Sequence, residues 1–124
     1  MKMTLDSTDS LNTISAYEPG RCKIQGVWHT TSLVVLPNQI INDWPVPAVD
    51  QLTQQDLAPI IEANPAVLLL GTGEQQRFPD PRHLRPLVDA QIGYEVMHNR
   101  AACQTYNILL GEGRMVAMVL LTGR

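Results

Sequence analysis

Ala66-Val67-Leu68-Leu69-Leu70-Gly71-Thr72-Gly73-Glu74-Gln75-Gln76-Arg77 is the stretch that decides the fold. Val67 to Leu70 is apolar without alternation, the pattern of a strand covered on both faces. Gly71-Thr72-Gly73 stops that strand at a tight turn, where glycine tolerates a positive φ that other residues avoid. A strand covered on both faces needs helices or further sheet above and below it, so the stretch predicts an α/β domain. It also predicts where a site falls. In open α/β sheets ligands gather beyond the carboxyl ends of strands, where glycines let backbone approach and free N–H groups can face an anion.

Working outward, the chain has 124 residues, 44% hydrophobic and 17% charged, an ordinary globular mixture somewhat short of charge. A chain of this length buries roughly two-thirds of its unfolded surface as one domain. The expectation is one domain over residues 11–124 behind a loose polar leader, residues 1–10. The formal net charge of −3 and the scattered Lys and Arg count against nucleic-acid binding, which needs clustered cations. Neither a signal-peptide core nor the ~20 apolar residues of a membrane span can be read. A soluble, cytoplasmic protein is expected, with Cys22 and Cys103 as free thiols because they form no CxxC pair.

Upstream of the central strand, Leu11 to Tyr17 alternates as a half-buried strand. Glu18-Pro19-Gly20 turns the chain into Arg21 to Gln25, a hairpin closed by Gly26. Ser32 to Leu36, Pro37-Asn38 and Gln39 to Asn42 form a second hairpin. Asp43-Trp44-Pro45-Val46-Pro47 is a stiff crossover loop, because its prolines remove ladder donors. Thr53 and Asp56 resemble a capping box, opening a helix with Leu57, Ile60 and Ile61 on one face, kinked at Pro59 and ending near Asn64-Pro65.

Downstream, Asp80 and Pro81 start a short helix carrying Leu84, Leu87 and Val88. Tyr94 to Met97 is a strand. Asn99 then caps a last helix from Arg100 to about Leu110, ended by Gly111-Glu112-Gly113. On that helix Arg100, Gln104, Asn107 and Gly111 share a polar arc, while Ala102, Tyr106, Leu109 and Leu110 point away and Ala101 and Ile108 widen the apolar face. Met115 to Leu121 has no polar face and belongs in the centre of a sheet. The element order predicts a mixed, largely parallel central sheet with antiparallel N-terminal hairpins.

Val67 to Gly73, Arg77-Phe78-Pro79, Glu95-Val96-Met97, Ala101 to Leu109 and Glu112-Gly113-Arg114, in that order and spacing, resemble the Mth-type domain family of largely unknown function. Its animal members include a mitochondrial complex I assembly factor and an adipogenesis-associated Mth-domain protein. The resemblance spans roughly Leu11 to Leu121 and implies a three-layer α/β fold around a mixed sheet. Gln104 stands where the family pattern carries an arginine, and His98 and Arg100 where smaller or acidic residues are common. That departure weakens any anion-binding role for the last helix.

No complete catalytic constellation can be assembled. Gly71-Thr72-Gly73 lacks the third glycine and the immediate helix of a dinucleotide loop, since Gln76 occupies the glycine position and Pro79 and Pro81 delay the helix. No cofactor is expected. Thr72, backbone N–H groups and Arg77 could hold a small anion or a partner carboxylate. Cys103 near a helix start could be a nucleophile, although buried cysteine packs as a small hydrophobe. His29, His83 and His98 lack metal-ligand spacing. Glu74 and Glu95 read as solvated carboxylates more readily than as an acid–base pair. Trp44 is either a partner anchor or a core cap; Trp28 is the other tryptophan.

The leading expectation is therefore a non-catalytic interaction or assembly factor that docks on a protein partner by the Gly71 loop and the neighbouring end of the last helix. The rival is a small-molecule (anion) binding protein or enzyme with a pocket beside Gly71-Thr72-Gly73. The candidate residues are Gly71, Thr72, Gly73, Glu74, Arg77, Arg100 and Tyr106. A homo-oligomer is compatible with apolar strands near an edge.

Overall fold

The computed structural model describes residues 11–123, so the leader expected over residues 1–10 lies outside the described residues. The Pro19-Gly20 turn joins β1 (Ile14–Glu18) to β2 (Arg21–Ile24), with Glu18 opposite Arg21 and Tyr17 opposite Cys22. The hairpin does not close at Gly26. Gln25 and Gly26 both take positive φ (49° and 81°), the two-residue turn that suits strand twist, and a third strand, β3 (Val27–His29), pairs back onto β2. These three strands form a small antiparallel sheet of their own.

The second hairpin, β4 (Leu33–Leu36) and β5 (Gln39–Ile41), enters a different sheet of order β5-β4-β8-β6-β7. Within it β6 (Val67–Gly71), β7 (Gly93–Met97) and β8 (Val116–Leu120) run parallel, and β4 joins β8 antiparallel. The α/β domain thus combines a mixed five-stranded sheet with a three-stranded antiparallel one, and β8 is central, as its unbroken apolar sequence requires.

Alternation within the buried strands separates two cores. Helix α1 is Ala58–Ala63 and α2 is Arg85–Asp89. Val34, Leu36, Leu68, Leu70, Ala117 and Val119 face one way, where Leu57 and Ile60 of the α1 region and Leu84 and Leu87 of the α2 region cover them. Leu33, Val35, Leu69, Val116, Met118 and Leu120 face the other way, under α3 (Asn99–Gly111) and the inner side of the small sheet.

Three local expectations change. Gln54–Leu57 is a 3-10 turn and α1 begins at Ala58, so Pro59 lies in the first turn of the α-helix, a position where proline is tolerated. The capping pair is present: the Thr53 N–H and hydroxyl donate to Asp56 Oδ2 at 2.8 and 2.9 Å. Val88 and Ile108, read as apolar-face residues, are 56% and 62% exposed, because each helix meets its sheet along a stripe narrower than its apolar arc.

The corner after β6 also differs in its cause. Positive φ occurs at Gly73 (106°) and not at Gly71. Gly71 is required by close approach instead: a Cβ there would stand 2.6 Å from Asn99 Oδ1 and 2.7 Å from the Val119 carbonyl oxygen. Gly71→Ala is therefore expected to destabilise the fold by about 2 kcal/mol in urea denaturation, the scale of overpacking a tight core. Gly93→Ala, where an added Cβ meets nothing within 4 Å, should stay within about 0.5 kcal/mol. Equal effects at the two positions would refute the close-approach account.

Candidate functional site

The chain leaves β6 toward α2 on one face of the sheet and leaves β7 toward α3 on the other, so the crevice typical of open α/β sheets lies at the carboxyl ends of these strands. The Asn99 carboxamide sits there, fully buried. Its Oδ1 accepts from the Gly73 N–H at 2.9 Å, and its Nδ2 donates to the Leu121 carbonyl at 2.9 Å. Its own N–H donates to the Gly73 carbonyl at 2.7 Å. Asn99 is thus not the helix cap that the sequence predicts. His98 takes that role, its Nδ1 accepting from the Ala101 N–H at 3.2 Å.

Thr72 is engaged through both its backbone and its hydroxyl. The Thr72 N–H donates to the Met97 carbonyl at 2.9 Å. The Thr72 hydroxyl donates to the Gln75 carbonyl at 2.7 Å and accepts from the Arg77 N–H at 3.0 Å. The donors of Thr72 and Gly73 therefore serve to shape the loop.

Of the seven candidate residues, Thr72, Gly73, Glu74 and Arg77 line one cleft of about 510 Å³ beside the corner, and Asp50 and Thr122 line it from other segments. Gly71 is buried behind them. Arg100 opens instead onto a separate cleft of about 170 Å³, shared with Cys103 and Gln104. The two clefts are linked by Tyr17, which the sequence reading did not single out. Its hydroxyl donates to Glu74 Oε2 at 2.8 Å, and the Arg100 guanidinium lies 5.2 Å from its ring centroid. Partial burial, then the bond to Glu74, pushes the Tyr17 hydroxyl up to about 12. Only strand register could have flagged Tyr17, because it pairs with Cys22 on β2. Tyr106 lies apart from all of these. It is fully buried among the α3-side core, its hydroxyl has no partner among the described residues, and burial raises its pKa.

Neither cysteine is a poised nucleophile. Burial pushes both thiols up to about 12, and for Cys103 the neighbouring Cys22 adds to the shift while Arg100 only partly opposes it. Trp44 is a core residue at 4% exposure. Trp28 is half-buried, with the Arg21 guanidinium 3.9 Å above its ring. Glu95 is exposed on β7, whereas Glu74 is tied to Tyr17. Among the described residues no group of three His, Cys, Asp or Glu side chains could hold a metal, and no helix is long and apolar enough to cross a membrane.

An α/β domain whose rim is closed by its own asparagine defines a fold class rather than an activity. Residues 14–121 match the family described as protein of unknown function (DUF498/DUF598), and the chain belongs to that family. It is similar to a crystal structure from Bordetella parapertussis, with 37% identity, TM-score 0.85, and coverage of 91% of this chain and 97% of that one. A Bordetella pertussis solution structure described as a Mth938-like domain gives 29% identity and TM-score 0.80, covering 92% of this chain and 87% of that one.

Among curated proteins, a 13 kDa major membrane protein of Francisella tularensis subsp. holarctica is 30% identical over 73 residues, 59% of each chain. The NADH dehydrogenase [ubiquinone] 1 alpha subcomplex assembly factor 3 of Drosophila melanogaster is 30% identical over 91 residues, covering 70% of this chain and 46% of that protein. The chain spans about half the length of the curated relatives it matches.

Asn99→Ala leaves the Gly73 N–H and the Leu121 carbonyl without their buried partner, and each such loss costs ~1–3 kcal/mol. A destabilisation of about 3 kcal/mol in chemical denaturation is expected; a loss below ~1 kcal/mol would show that the corner holds without this residue. Stability should also fall in alkali. The unfolded chain releases its cysteine protons near 9, whereas the native thiols keep theirs to about 12, so unfolding is favoured progressively as pH rises through that window. Urea midpoints followed from neutral pH upward should be flat below about 9 and decline above it.

Proposed function

We propose that this protein is a non-catalytic accessory factor of the cytoplasm that docks on a protein partner through the loop after β6 and the adjoining start of α3. One observation carries this reading. The donors of the glycine corner are spent on Asn99, Met97 and Gln75, while the same loop presents Phe78 at 73% exposure next to the exposed Arg77. An aromatic ring and a guanidinium side by side on a tied-down loop is the composition of an interface hot spot.

Further support comes from the unreactive thiols and from relatives that are named as assembly factors, although those proteins are longer. The two free cysteines favour a reducing compartment. A small-anion pocket built from Thr72, Glu74, Arg77, Arg100 and Tyr106 together is less well supported, since Arg100 opens onto a second cleft and Tyr106 is enclosed in the core.

Crosslinking and affinity capture should recover a discrete protein partner with the wild type and with Arg85→Ala, an exposed substitution on α2. Recovery should drop by about tenfold or more with Arg77→Ala/Phe78→Ala, since each hot-spot side chain is worth ~1–2 kcal/mol or more. Equal recovery from all three proteins would remove the loop from the interface.

A further inference from the structure

The cleft beside the corner carries charges that the fold leaves unmatched. Asp50 projects from a 3-10 turn (Val49–Gln51), and Glu74 and Arg77 come from the loop after β6. The ion pairs among the described residues are Arg21–Glu18, Arg82–Asp80 and Arg85–Asp89, and none includes Asp50, Glu74 or Arg77. Glu74 is nonetheless held in place, because Oε2 accepts the Tyr17 hydroxyl at 2.8 Å. In the wall, the Thr122 N–H donates to Ser32 Oγ at 3.0 Å, which fixes the backbone there. Val49 and Leu121, nearly fully buried, give the cleft an apolar floor.

Separated charges of opposite sign around one cavity complement a molecule that carries both. An anion alone would meet two carboxylates, and a cation alone would meet the guanidinium. At about 510 Å³ the cleft falls within the range of small-molecule sites. From this arrangement we infer that the cleft binds a small zwitterion, with an ammonium on Asp50 and Glu74 and a carboxylate on Arg77. The site goes beyond the docking reading and does not depend on it.

Amide chemical shifts of the full chain, titrated with glycine, β-alanine, γ-aminobutyrate and ε-aminocaproate, test this directly, because the spacing between the two charges grows along the series. At least one member should shift the Gly73, Glu74, Thr122 and Gly123 amides saturably. It should bind about tenfold or more tightly than caproate or hexylamine, which each carry one of its two charges; tenfold corresponds to about 1.4 kcal/mol. Arg77→Met and Glu74→Gln replace exposed side chains, so the fold is kept, and each should weaken binding about tenfold. The inference is overturned if no member of the series shifts these amides, if caproate or hexylamine binds as well as the zwitterion, or if both folded variants keep wild-type affinity. Such a failure would leave capture of a protein partner by Phe78 and Arg77 unaffected.

Discussion

The buried Asn99 carboxamide is the interaction on which the site end of this molecule depends. Asn99 follows β7, yet its side chain bonds Gly73, two residues past the end of β6, and the carbonyl just beyond β8. Three parallel strands thus have their carboxyl ends joined through one side chain. Such a group is stable inside a protein only when both its donor and its acceptor are used, and here they are. The arrangement requires a glycine at position 71, because Asn99 Oδ1 occupies the space where any Cβ would stand. Gly71 and Asn99 are therefore a complementary pair, 28 residues apart in sequence and in contact in the fold.

This closure determines what the rim can offer. In nucleotide-binding α/β proteins, the backbone donors at the equivalent place remain free for phosphate. Here the N–H groups of Thr72, Gly73 and Arg77 are bonded within the protein, and side chains project from the loop. Phe78 is exposed on this loop, and Arg77 beside it in sequence lines the cleft together with Asp50, Glu74 and Thr122. Tyr17 brings the small sheet into the same neighbourhood through its bond to Glu74 and its contact with Arg100. The small sheet is further tied to α3 by Asn107, whose carboxamide accepts from the Ile14 N–H at 2.9 Å and donates to the Ile14 carbonyl at 2.8 Å, substituting for a neighbouring strand.

Much of the fold was legible because apolar runs and turn residues act locally. The continuous apolar strands β4, β6 and β8, the turn at Pro19-Gly20, the Thr53–Asp56 pair and the extent of the last helix all follow from neighbours in sequence. The sequence reading went astray where two solutions are locally equivalent. Gln25-Gly26 could end a hairpin or begin another strand, and only β2's free edge made the second choice favourable. Asn99 beside His98 could cap the helix, but a buried carboxamide satisfies more groups in the crevice than at the helix end, which leaves the cap to histidine.

The candidate site divides along the same line. Sequence alone determined that strand β6 is buried on both faces and that the chain turns sharply after it, since an unbroken apolar run can only be covered twice and glycines are needed where it stops. Tertiary structure alone decided that Gly71 serves close packing, that Arg100 and Tyr106 lie apart from Arg77, and that Tyr17, Asp50 and Thr122 surround the corner. Those outcomes depend on which distant segments meet at the strand ends, and no local pattern encodes such a meeting, because each residue's own preferences would be equally satisfied elsewhere.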